Sequence, residues 1–150
     1  MNRYRVAALA ASDIPAIGVL ETCCLPHEAW SESQLLAHLQ HPDTLNMGVY
    51  DQDRLIAFAI SRVVLDEVEL YQIATHPAYA GQGVASQLLS SLVTRWRSQH
   101  CTVALLEVNA SNVAALRLYA KIGFVENGRR RGYYQTEAGK QDAVLMQLSI

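Results

Sequence analysis

His76-Pro77-Ala78-Tyr79-Ala80-Gly81-Gln82-Gly83-Val84-Ala85-Ser86 joins a strand-like run to a long amphipathic helix, and the reading of that junction decides the fold. Upstream, Leu70-Tyr71-Gln72-Ile73-Ala74 reads as a short strand. Downstream, Val84, Leu88, Leu92 and Trp96, with Ala85, Leu89 and Val93 beside them, recur at helical spacing. The glycines therefore fall at a helix N-terminus, where unpaired backbone N–H groups and the positive end of the helix dipole face outward. With no side chains at Gly81 and Gly83, a phosphate can approach the main chain.

A turn that needs glycine only for its own geometry is the competing reading. No Gly-Lys-Ser/Thr follows, which disfavours a nucleotidase P-loop, and Gly81-x-Gly83-x-Ala85 lacks the third small residue of a dinucleotide fingerprint. What remains is a pyrophosphate held by main-chain N–H groups without a conspicuous lysine.

At 150 residues the chain is expected to form one domain spanning 1–150, with most of its apolar surface in a single core. The formal net charge of −2 argues against a nucleic-acid binder. Apolar runs stop well short of the roughly 20 residues of a membrane span, and Met1-Asn2-Arg3-Tyr4-Arg5 has no signal-peptide core, so a cytoplasmic enzyme with no membrane partner is expected. Cys23, Cys24 and Cys101 are an odd set without metal-ligand spacing, expected as reduced and mostly buried thiols. His27, His38, His41, His76 and His100 show no metal spacing and read as polar boundary residues, so no metal is expected.

The coarse order is β-α-α-β-β-β-α-β-α-β-β. A first strand runs from Arg3 to Ala8; Ser12 or Asp13 caps a helix to about Thr22, with Pro15 in its first turn. Ser31 with Gln34 forms a capping box for a second helix that ends before Pro42. Thr44–Tyr50 and Arg54–Val64, parted by Asp51-Gln52-Asp53, read as a hairpin, and Val68–Ala74 adds a third strand. The helix from Gly83 to about Gln99 leads to a strand at Thr102–Val108, then a helix from Ser111 to Lys121 stopped by Gly123. Phe124-Val125 and Ala143–Leu148 supply the last two strands.

Glu107 closes an otherwise apolar run. It either faces water at a strand end, pairs with an arginine, or serves as a general base at the mouth of a cleft. Asn112 and Tyr119, seven residues apart in the next helix, project from one face about 10 Å apart along its axis. They either line up an amide and a phenol for an extended ligand or act simply as a cap and a core aromatic. Arg129-Arg130-Arg131 reads as a solvated face.

Gln82-Gly83-Val84-Ala85 opening a helix, then Glu107-Val108-x-x-x-Asn112-x-x-Ala115-x-x-x-Tyr119-x-x-x-Gly123-Phe124, resembles the GNAT family of acetyl-coenzyme-A-dependent N-acetyltransferases. Trp30-Ser31-Glu32, Val64-Leu65-Asp66-Glu67, Arg130-Arg131-Gly132-Tyr133-Tyr134 and Asp142-Ala143-x-x-Met146 resemble its RimI type, which acetylates the N-terminal alanine of a small-subunit ribosomal protein. The resemblance implies a mixed α/β fold: a mostly antiparallel sheet of about seven strands, splayed between its two central strands and flanked by about four helices. It also implies acetyl-CoA as acetyl donor.

By the same resemblance, Gly81, Gln82, Gly83, Val84, Ala85 and Ser86 hold the pyrophosphate, although Ala80 and Gly81 replace residues usual in relatives. Ile73, Ala74, Thr75, Asn112, Ala115 and Tyr119 follow the pantetheine arm, and the backbone around Ile73 to Thr75 supplies oxyanion donors. Glu107 resembles the general base and Tyr119 the general acid. Trp30, Glu32, Tyr71, Tyr133 and Tyr134 resemble walls of the acceptor channel, with Ala29 standing where relatives often carry proline. The implied partner is a protein N-terminus, with a monomer or weak dimer. A small amine or lysine side chain as acceptor, or a weakly catalytic acyl-CoA-binding module, are the alternatives.

Overall fold

In the computed structural model, which describes residues 3–150, one seven-stranded sheet runs through the chain in the order β1-β2-β3-β4-β5-β7-β6. The strands are β1 (Arg5–Ala8), β2 (Thr44–Asp51), β3 (Arg54–Val64), β4 (Glu67–Thr75), β5 (Val103–Asn109), β6 (Val125–Thr136) and β7 (Gly139–Ser149). The helices are α1 (Ile14–Cys24), α2 (Glu32–Gln40), α3 (Val84–Ser98) and α4 (Val113–Ile122). Every neighbouring pair of strands is antiparallel except β4 and β5, which are parallel and joined through α3. Among the described residues no helix is long and apolar enough to cross a membrane.

The sheet is covered on both faces, which explains why β3 is buried almost continuously from Leu55 to Ser61 rather than in alternation. One core cluster joins Val49, Ile56, Val68 and Leu106 to the apolar stripe of α3 and to Phe124. At its centre the fully buried Trp96 donates its indole N–H to Ser61 Oγ at 3.0 Å, so the ring is interred without an orphaned donor. The other cluster packs Ile17 and Leu20 of α1 and Leu35 of α2 against Tyr50, Phe58 and Ile60.

The capping box of α2 forms as its sequence implies: Gln34 N–H donates to Ser31 Oγ, and Ser31 N–H donates to Gln34 Oε1. At α1 the outcome differs. A 3₁₀ turn over Ala11–Asp13 precedes the helix, and Asp13 turns its carboxylate back to accept from Ala10 N–H and the Tyr50 hydroxyl instead of capping α1.

The largest departure from the sequence reading lies at β6 and β7, a long hairpin that covers the stretch 126–142 expected to lack strands. Val125–Thr136 carries arginines, glycines and tyrosines with no apolar alternation, because it is an edge strand exposed along much of its length. Its register shifts twice, and the second shift, between Arg130 and Tyr134, is pinned by Gly132 N–H donating to Asp142 Oδ1 at 2.9 Å. All three cysteines are free thiols; Cys101 is buried and Cys24 partly buried, and Cys23 alone departs from expectation by being exposed.

Candidate active site

At the start of α3 both glycines adopt φ of +78°, a left-handed conformation that an L side chain reaches only with strain. A Cβ added at either would meet nothing within 4 Å, so the space above the loop is open and the first amides of α3 border it. This arrangement suits a phosphate. Gln82 is tied to Tyr4, whose hydroxyl donates to Gln82 Oε1 at 2.8 Å.

β4 and β5 part early. They pair only at Glu67–Glu69 opposite Val103–Leu105, after which β4 has β3 on one side and no strand on the other. A cavity of about 410 Å³ fills the fork. It is lined by Tyr71 to Thr75 of β4, Leu106 to Asn109 of β5, Asn112, Ala115, Leu118 and Tyr119 at and along α4, Ala85 of α3, Cys24 at the end of α1, and Leu25 and Glu28 just beyond it. The Thr75 hydroxyl on this wall is buried without a hydrogen-bond partner. A free strand side, an unpaired hydroxyl and an open glycine turn fit an extended ligand bearing amides at one end and phosphates at the other.

Asn112 caps α4, its Oδ1 accepting from Ala115 N–H at 3.2 Å, and also lines the cavity. Tyr119 is 6 % exposed, with its ring against Phe124 at 5.7 Å. Burial, reinforced by the Glu28 carboxylate and Tyr134, pushes its phenol far above the ordinary value, so at neutral pH it is fully protonated. Glu107 meets Arg130 Nε at 3.3 Å, and the Arg130 guanidinium lies 4.7 Å from the Tyr133 ring centroid.

Carboxylates gather around Glu107. Desolvation and then Glu107 raise Glu28, and the same two causes raise Glu69. Tyr134 is pushed up to about 12, by desolvation first and then by Glu28 and Glu107. Cys24 gives its Sγ–H to the Thr75 carbonyl at 3.3 Å, and desolvation followed by Cys23 holds it as a thiol, which suits a wall better than a nucleophile.

Of the residues singled out in the sequence, Tyr71, Ile73, Ala74, Thr75, Ala85, Glu107, Asn112, Ala115 and Tyr119 line one cavity. Gly81, Gln82 and Gly83 form the turn into α3, whereas the Val84 side chain is buried in the core and Ser86 faces a side groove beside Lys121. Trp30 packs on Tyr71 at 5.7 Å, Tyr133 and Tyr134 meet edge-to-face at 5.1 Å, and Glu32 begins α2 outside the cavity. The arginine run is not simply solvated: Arg129 pairs with Glu126 and Asp142, and Arg130 with Glu107. Glu28 was missed, its only signal being an acid two residues before Trp30. Gln72 Nε2 donates to the Glu28 carbonyl at 2.6 Å and ties that loop to β4.

A model of the acetyltransferase (GNAT) family matches residues 14–124. Over 145 residues, 97 % of both chains, the sequence is 37 % identical to the ribosomal protein bS18-alanine N-acetyltransferase of Salmonella typhimurium. It is 30 % identical to the N-alpha-acetyltransferase RimI of Mycobacterium tuberculosis, over 87 % of this chain and 84 % of that one. The crystal structure of the ribosomal-protein-S18-alanine N-acetyltransferase from Escherichia coli matches with a TM-score of 0.91 at 37 % identity, covering 98 % of this chain and 94 % of that one. With a family model spanning most of the chain and a relative aligned along nearly all of it, the protein belongs to the GNAT family of acetyltransferases, enzymes that draw their acetyl group from acetyl-CoA.

Proposed function

We propose that the protein acetylates the α-amine of the N-terminal alanine of the small-subunit ribosomal protein bS18 in the cytoplasm, with Glu107 as general base and Tyr119 as general acid. The observation that carries this reading is the shape of the acceptor side. The central cavity shares Tyr71 with a pocket under α2 and Glu107 with a groove along β6, which supports an acceptor that extends to either side of the reacting position. A polypeptide needs such a track, whereas a small amine does not. Similarity along 97 % of the Salmonella relative supports the same acceptor.

An α-amine has a pKa of about 8, so near neutral pH most of it is protonated and a base must take the proton before it can attack. Glu107, on the cavity wall, takes that proton directly or through one water. Bound acetyl-CoA supplies an acyl thioester, whose C–S bond is exchanged for the new amide bond. The glycine turn holds its pyrophosphate, while the free side of β4 and Asn112 hold its amide-bearing arm. Backbone N–H groups near Ile73 to Thr75 stabilise developing negative charge, and Tyr119 gives a proton to the leaving sulfur.

Mass spectrometry of alanine-initiated bS18 peptides, polyamines and peptides with only internal lysines tests the acceptor. Acetyl on the peptide α-amine is expected; acetylation confined to polyamines or to lysine side chains overturns the reading, and no turnover at all favours a binding module.

A further inference from the structure

Among the described residues, two side-chain atoms on the wall of the central cavity are buried without a partner, the Thr75 hydroxyl and Gln72 Oε1. A hydroxyl can turn to donate or accept, and Thr75 ends β4 just before the glycine turn. Gln72 is more restricted. Only 4 % exposed, it commits its Nε2 to the Glu28 carbonyl at 2.6 Å. That bond also fixes which end of the amide is oxygen, since the flipped group would set two oxygens against each other. The remaining Oε1 is an interred acceptor on a cavity wall, and it calls for a ligand N–H or O–H.

Two ligands bring N–H groups into this cavity: the amide arm of the acetyl donor and the amine of the acceptor. The arm, as proposed, lies against the free side of β4, in the plane of the sheet. Gln72 reaches out of that plane instead, to the loop after α1, a helix that packs on one face of the sheet. That loop looks onto the proposed reacting groups. Desolvation first and then Glu107 raise Glu28, while desolvation first and then Glu28 raise Tyr119 and Tyr134.

An amide oxygen is a poor base, so it holds an amine N–H without taking the proton. A primary amine that has yielded one proton to Glu107 keeps two N–H groups beside its lone pair, and fixing one of them fixes where the lone pair points. We propose that Gln72 Oε1 accepts a hydrogen bond from the acceptor's α-amine and thereby aims its lone pair at the thioester carbonyl. It rests on the reading of the acceptor as a polypeptide α-amine. Gln72 exchanges no proton; Glu107 takes it, and the C–N bond forms as the C–S bond breaks. Because Nε2 of the same side chain holds the Glu28 loop, one residue both seats the nucleophile and orders the loop beside it.

Two alanine-initiated bS18 peptides, one with a primary α-amine and one begun with N-methylalanine, separate this role from a purely structural one. Once deprotonated, the N-methyl amine retains one N–H rather than two. Wild type should favour the primary amine by about 10²-fold in kcat/KM, because the methyl group leaves the buried oxygen without its donor. In Gln72→Met, which keeps the length and removes the oxygen, that preference should fall by about tenfold or more, with acetyl-CoA affinity within about twofold of wild type. An unchanged preference, or weakened acetyl-CoA binding with the preference intact, overturns the proposal. A second measurement needs no variant. In the CoA-loaded wild type, the Gln72 side-chain amide resonances should move on addition of the alanine-initiated peptide and stay in place with its analogue lacking the α-amine. Equal movement with both, or none with either, overturns the proposal while leaving the acceptor reading intact. Failure to acetylate any alanine-initiated peptide removes the acceptor reading and this role with it.

Discussion

Glu107 and Tyr119, proposed as general base and general acid, reach the same cavity from different elements. Glu107→Gln and Tyr119→Phe should each lower turnover by about 10²-fold or more with little change in acetyl-CoA affinity. Rates near wild type in both variants would remove these roles. His38 makes a separate claim about stability. Burial, with Arg62 and His41 adding to it, holds its imidazole below the ordinary value. The folded state therefore favours neutral His38; the stability that this contributes is complete above about pH 6.5 and lost as pH falls through the lowered folded value. Glu28 and Glu69, shifted upward, act in the opposite sense but equally in a variant that keeps them. Wild type should thus lose melting temperature on acidification faster than His38→Asn, and a gap between the two that stays constant with pH would remove the idea. Residue by residue, legibility followed regularity. Glu107 stood out because it interrupts an apolar strand, but its pairing with Arg130 depends on hairpin registers that the sequence pattern does not reveal. Glu28 sits in an irregular loop whose place is set by Gln72 reaching across from β4, a contact with no periodic signature.

Among the elements, α3 is the most demanding, because its N-terminus combines a cap without a side chain with two left-handed residues. Gly83→Ala should cost about 1–2 kcal/mol of folding stability from backbone strain. With the pyrophosphate held at this turn as proposed, it should also reduce the upward shift in melting temperature caused by acetyl-CoA. An unchanged melting point together with an unchanged ligand-induced shift would refute the geometry claimed for the turn. Helices α2, α3 and α4 were readable from caps and apolar spacing, and β3 from its unbroken apolar run. The β6 strand was not, since Val125–Thr136 is held chiefly by main-chain pairing to β7 and needs no buried face of its own. Its register shifts nevertheless bring Arg130 and Tyr134 toward Glu107, so the least legible element reaches the residue proposed as the base.

For the molecule as a whole, the order of elements and the mixed sheet were legible, because each strand-helix boundary carries its own turn or cap chemistry. The fork was expected only through the family resemblance. No local pattern marks where β4 leaves β5, because the residues beyond the branch, Leu70 to Thr75, have the same alternating character as a fully paired strand. That branch has a consequence for motion. β4 beyond Glu69 is an internal strand with one unlaced flank, buried by its neighbours yet lacking half of its ladder. Its gap-facing amides should exchange with deuterium faster than those of β3 at similar depth, and acetyl-CoA should slow them selectively by supplying the missing rungs. Uniform protection along β3 and β4, unaffected by ligand, would contradict this. In the proposed mode of binding, the donor substrate would serve as a temporary eighth strand, with the sheet complete only while the enzyme is loaded.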